Sequence, residues 1–104
     1  MYIIRFVWLA GAALFLSTID CYSADAGHGG DLAKRWCAAC HLVSPDQQRA
    51  SADVPPFAKI AQSPNFDAKS LTNFLLDPHP KMPELPLSHA AAEDIAAYIQ
   101  SLKK

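Results

Sequence analysis

The chain has 104 residues, enough for one domain, and its 51% hydrophobic and 18% charged content allows a packed core and argues against a disordered tail. Nine basic against ten acidic residues give a net charge of −1, which leaves no basic surplus for a nucleic-acid backbone. A Gly-rich phosphate loop and an alternating helix–strand pattern are both missing from the sequence, and three cysteines are too few for a disulfide scaffold.

The first segment reads as an address. Arg5 is followed by an apolar run from Phe6 to Leu16, then by Ser17, Thr18 and Asp20, then by the small residues of Ala24-Asp25-Ala26. This is the three-part order of a secretory signal peptide, with Ala24 and Ala26 at the −3 and −1 positions of a cut after Ala26; a cut after Ala24 is the second choice. A membrane-spanning helix needs about 20 apolar residues, and here the run stops at Asp20. A lipid-modified Cys21 is disfavoured because Asp20 precedes it, so Cys21 leaves with the leader. The expected division is therefore a cleaved leader over 1–26 and one domain over 27–104. A domain that small needs help to build a core, and a disulfide between Cys37 and Cys40 would close too short a loop to supply it.

Four helices are expected, and no strand. The first runs from Gly30 to Ala39, with Leu32, Trp36 and Cys40 on one face. The second covers Pro56 to Ala61, proline suiting its first turn, with Phe57, Ile60 and Ala61 on one side. The third covers Ala68 to Leu76, capped by Asp67 and ended by Pro78, with Leu71, Phe74 and Leu75 inward. The fourth covers His89 to Leu102, capped by Ser88, with Ile95, Tyr98, Ile99 and Leu102 as its apolar stripe. Between the last two lies a segment holding Pro78, Pro80, Pro83 and Pro86, stiff and extended, with little freedom to lose on folding.

Chemistry concentrates in Cys37-Ala38-Ala39-Cys40-His41, a C-x-x-C-H motif. Two thiols at this spacing can each add across one of the two vinyl groups of a haem, giving thioethers, and the histidine after the second cysteine can then bind the iron axially. The fit follows from the fixed vinyl–vinyl and vinyl–iron distances of the porphyrin. A large flat apolar group would also fill the missing core. Two rivals use the same residues. A dithiol oxidoreductase wants a strand before the motif and a βαβ surround, whereas a helix leads into it here. A zinc site would need a fourth ligand, and adjacent Cys and His suit a tetrahedron poorly.

After leader removal Met82 is the one methionine left. It sits among prolines and on no apolar helix stripe, so core filling explains it less well than donation of its soft thioether to iron, a ligation that raises the reduction potential. His79, three residues earlier, is its competitor; His28 and His89 read as solvated.

These pieces together resemble the class I cytochrome c family, specifically its small single-haem bacterial periplasmic members. The resemblance rests on Trp36-Cys37-Ala38-Ala39-Cys40-His41 after an N-terminal helix, Pro55-Pro56-Phe57, Pro80-Lys81-Met82-Pro83 and a last helix with Tyr98, in the family's order. It implies an all-α fold of about four short helices around one covalent haem c. It further implies thioethers at Cys37 and Cys40, His41 as proximal and Met82 as distal iron ligand, and Pro55 as the carbonyl that orients the His41 ring. The family also crosses its first and last helices with a small residue on an aromatic one, here Gly29 or Gly30 on Tyr98. The Gly-Pro-x-Leu-x-Gly stretch of larger relatives is absent, and the propionate partners are not evident. Gln47, Gln48, Arg49 and Ser51 are the candidates, Arg49 first.

The expected role is that of an electron shuttle of the periplasm, a non-enzymatic monomer, iron-bound, meeting redox partner proteins transiently around an exposed haem edge ringed by Lys34, Arg35, Lys59 and Lys81. The alternatives are a dedicated electron-accepting subunit of a periplasmic dehydrogenase or oxidase, and a ligand-binding haem sensor in which Met82 leaves the iron.

Overall fold

A computed structural model describes residues 23–77 and 82–104. The leader residues 1–22 and the stretch 78–81, with His79 and Lys81, lie outside the described residues. Among the described residues the chain forms four helices and no strand, as expected for an all-α fold.

Helix α1 spans Ala26–Trp36, starting four residues before the expected point and stopping three short of the expected end. Asp25 sets the start. Its side chain accepts from the His28 N–H at 3.0 Å, which satisfies one otherwise orphaned donor, and its carbonyl accepts the first intrahelical bond, from the Gly29 N–H at 2.9 Å. Glycine is about 1 kcal/mol worse than alanine inside a helix, which is why a glycine-rich stretch reads poorly as helix from sequence. Tertiary packing overrides that preference here, because Gly29 and Gly30 are buried against the last helix. The end is set by Cys37 and Ala38, whose N–H groups both bond the Ala33 carbonyl, at 2.8 and 3.1 Å. The second of these is the wider closure that ends many helices. The expected face of Leu32, Trp36 and Cys40 does not exist, since Cys40 lies beyond the helix; the buried side of α1 is Gly29, Gly30 and Ala33.

Helix α2 spans Phe57–Ala61, with Pro56 as its N-cap and Phe57 and Ala61 buried. Helix α3 spans Ala68–Leu76, as the sequence predicts. Its cap Asp67 accepts from the Ser70 N–H at 2.9 Å and the Ser70 hydroxyl at 2.6 Å. It ends at Asp77, which is extended, as a residue before proline is. Phe74 is a correction: it is 51% exposed rather than inward, and Thr72 takes the buried position, donating its hydroxyl to the Ala68 carbonyl. Helix α4 spans His89–Ser101, with Ser88 accepting from the Ala91 N–H at 3.0 Å. Ile95 and Ile99 are fully buried, and Tyr98 and Leu102 pack at the edge of the core.

Helix α4 is the spine. α1 packs on it most broadly, then α3, then α2. The α1–α4 crossing is very close. A Cβ on Gly29 would fall 1.8 Å from the Asp94 carbonyl oxygen, and one on Gly30 would lie 3.0 Å from the Tyr98 ring. Gly30 is therefore the small residue against Tyr98, and Gly29 serves backbone contact. Asp94, 3% exposed, ties the start of α1 to the same place. Its Oδ1 accepts from the Asp25 N–H at 2.8 Å, and its Oδ2 lies 2.7 Å from His28 Nδ1. His28 is thus engaged rather than simply solvated, and His89 pairs with Glu93 at 2.8 Å.

Candidate functional site

The core these helices make is small: Ala33, Val43, Phe57, Ala61, Ile95 and Ile99 are its main members. Beside it two large apolar side chains stay uncovered, Trp36 at 43% and Phe74 at 51% exposure. Such exposure in a small domain marks a binding surface. Both rings line one hollow of about 310 Å³, together with Ile60 and Leu85. That volume lies at the lower end of ligand sites. The displaced expectation for Phe74 has its reason here: it faces the hollow and not the helix interface.

Four sulfur and nitrogen side chains converge on the same hollow: Cys37, Cys40, His41 and Met82. Local turns bring the first three there. Once α1 ends, the Cys40 and His41 N–H groups both bond the Cys37 carbonyl, at 3.2 and 2.9 Å, so the motif forms one compact turn. The Cys40 carbonyl accepts from the Ser51 N–H at 2.9 Å, and the Leu42 carbonyl accepts from the Phe57 N–H at 2.9 Å, fastening the loop to α2. Both thiols are free; Cys37 is buried and Cys40 exposed. Burial pushes the Cys37 thiol up to about 11, because a thiolate there would lose its hydration.

The His41 ring is held on two sides. Its Nδ1 lies 2.7 Å from the Pro55 carbonyl oxygen, and its ring centroid is 5.2 Å from that of Phe57 at a tilt of 49°. Phe57 in turn packs on Tyr98, 6.5 Å between centroids, and the Tyr98 hydroxyl donates to the Val43 carbonyl at 2.5 Å. A chain of rings therefore links His41 to the α4 spine. With Nδ1 bonded to a carbonyl it carries the hydrogen, so Nε2 is the nitrogen with a lone pair.

The set fits haem c. It offers two unbridged thiols at the required spacing, an oriented imidazole, a thioether lining the same hollow and apolar walls of aromatic and aliphatic side chains. Among the described residues no group of three or more His, Cys, Asp or Glu side chains is placed to hold a bare metal ion. The expected propionate partners fare unevenly. Arg49 is exposed in the loop, whereas the Gln47 amide is spent within it. Lys34, Arg35 and Lys59 are all exposed. Sequence reading missed the part played by Phe57 beside His41 and by Asp94 at the helix crossing, because neither spacing nor composition distinguishes them from ordinary core and surface residues.

An all-α chain whose C-x-x-C-H turn, oriented histidine and methionine surround one apolar hollow has the design of a c-type cytochrome. The comparison with known proteins agrees: the chain is 59% identical over 91 residues to the cytochrome c-552 of Bradyrhizobium diazoefficiens, an alignment covering 88% of each protein. It belongs to the class I c-type cytochromes, electron-transfer proteins whose cofactor is covalently bound haem c with its iron. No family model matches the chain, and no solved structure matches it.

Proposed function

We propose that this cytochrome is a periplasmic single-electron carrier, with His41 and Met82 as the two axial iron ligands and thioethers at Cys37 and Cys40. When bound, haem supplies reversible one-electron chemistry. The rest falls to the chain. His41 presents Nε2 to the iron while the Pro55 carbonyl holds its other nitrogen, which fixes the ring and raises its basicity. Met82, which lines the same hollow, would supply the second ligand, a neutral, soft thioether. Two protein ligands leave the iron no open position for a substrate, so the protein carries electrons without catalysing bond formation. The observation that carries the reading is the convergence of both cysteines, His41 and Met82 on one hollow.

Cys37 is buried in the folded chain, so a vinyl group reaches its sulfur more readily before the fold closes around it. Export rests on the leader order read over 1–26. Among the described residues no helix is long and apolar enough to cross a membrane. Partners dock transiently and the carrier is a monomer, in keeping with the small, short-lived interfaces of redox encounters. The test is to make the full chain alongside a haem-attachment system. Intact mass is expected to show one haem on a chain lacking its leader, and the oxidised protein to show a weak far-red sulfur–iron band that vanishes on reduction. A chain without added mass, or with the mass but no such band, defeats the attachment or the Met82 assignment respectively.

A further inference from the structure

The loop that follows the attachment motif is organised by a single side chain. The half-buried Gln47 uses both ends of its amide. Its Oε1 accepts from the Val43 N–H at 3.0 Å. Its Nε2 faces three carbonyls, those of Ala38 at 3.0 Å, His41 at 2.8 Å and Arg49 at 2.7 Å. The amide nitrogen has two hydrogens, so the three acceptors share them. Two of those carbonyls belong to the motif itself: one follows the first cysteine and the other is that of the histidine. The third lies on the returning limb of the loop. Val43 is 1% exposed, so water is a poor substitute partner for its N–H.

Gln47 lies outside the hollow that His41 faces; it lines a separate concavity beside Lys34 and Asp46. It therefore grips the motif from behind. We propose that Gln47 is a positioning residue for the proximal imidazole: it fixes the main chain of His41, while the Pro55 carbonyl fixes the rotation of the ring. This rests on the reading of His41 as the proximal ligand. The side chain is specific. Glutamate would keep the acceptor for Val43 but turn a donor into a charge facing three carbonyls. Methionine would keep the length and lose every hydrogen bond. Asparagine would fall one methylene short.

The experiment compares the haem-loaded wild type with Gln47→Glu, Gln47→Met and His41→Ala, each checked for attached haem by intact mass. The first readout is the pattern of haem methyl resonances in the proton spectrum of the oxidised protein, which follows the orientation of the axial imidazole. The second is hydrogen exchange at the Val43 amide. Both Gln47 variants are expected to shift the haem methyl pattern. Val43 exchange is expected to quicken about tenfold in Gln47→Met, the loss of one hydrogen bond, and much less in Gln47→Glu. An unchanged methyl pattern in both Gln47 variants, whatever their loss of stability, overturns the proposal. So does a variant that keeps its haem but cannot fold, if Gln47→Asn folds with the wild-type pattern. Failure of the underlying reading looks different: the wild type and His41→Ala would then share one pattern, and both assignments would go.

Discussion

Gly29 lies against the backbone of Asp94 so closely that a Cβ would sit 1.8 Å from the Asp94 carbonyl oxygen and 2.9 Å from the Ile95 nitrogen. Neither atom can move without displacing α4. Gly30, one residue on, meets only the Tyr98 ring, at 3.0 Å. Gly29→Ala is therefore expected to push α1 off α4, at a cost at or beyond the ~1–3 kcal/mol typical of overpacking. Gly30→Ala is expected to change stability by less than about 1 kcal/mol, since the strain of shifting the ring by a few tenths of an ångström is offset by alanine's advantage of about 1 kcal/mol as a helix former. Denaturant unfolding of the two haem-loaded variants checks the order. Equal costs would mean that the helix crossing is looser than described.

The start of α1 has a consequence for the leader. Asp25 caps the helix and its N–H bonds the buried Asp94 carboxylate. A protein beginning at Asp25 keeps both contacts, and its backbone nitrogen becomes an ammonium beside that carboxylate. A protein beginning at Gly27 loses both. The shorter form is expected to be less stable by at least about 1 kcal/mol, the usual worth of an N-cap. Chemical unfolding of the two forms measures this, and the intact mass of the exported protein tells which one the cell makes. If the two forms unfold together, the cap is dispensable.

Much of the fold is legible in the sequence where local chemistry decides it. Asp67 before Ala68 and Ser88 before His89 are unambiguous caps, and α3 and α4 fall where those residues put them. The C-x-x-C-H turn and the extended Pro55 ahead of Pro56 likewise carry their meaning locally. What was not legible depended on distant partners. The glycines of α1 look unhelical until α4 is placed against them. Phe74 looks like a core residue until the hollow beneath it is seen. Gln47 looks like any loop amide until three carbonyls close around it.

Asp67 gives a pH dependence with a definite sign. The hydrogen bond from the Ser70 hydroxyl, then that from the Ser70 N–H, holds its carboxyl below the ordinary carboxylate range. A carboxyl lowered on folding contributes stability that is fully present above its unfolded value of about 3.9 and lost as pH falls through the lower folded value. Asp67→Asn keeps an oxygen acceptor for the cap and removes the charge. The thermal midpoint of this variant is expected to fall less steeply than that of the wild type as pH drops below about 4, with the two curves running parallel above about pH 5. Identical slopes in acid would show that the cap carries no linked proton.

Met82 is the residue on which the choice between carrier and sensor turns. It shares the hollow with His41 and both cysteines, and its thioether is a neutral donor that favours the reduced metal. On the proposed ligation, Met82→Ala removes that preference and leaves one side of the iron without a protein ligand. The potential is expected to drop on the order of 100 mV, a fraction of the roughly 0.8 V that axial ligands span. The far-red band of the oxidised protein should disappear, and reduced protein should take up carbon monoxide within seconds where the wild type resists it. Covalent attachment should survive, because the thiols are untouched. A wild type that binds carbon monoxide as fast as Met82→Ala would instead have an open iron site, and the chain would then be read as a ligand-binding haem protein with Met82 as a wall residue.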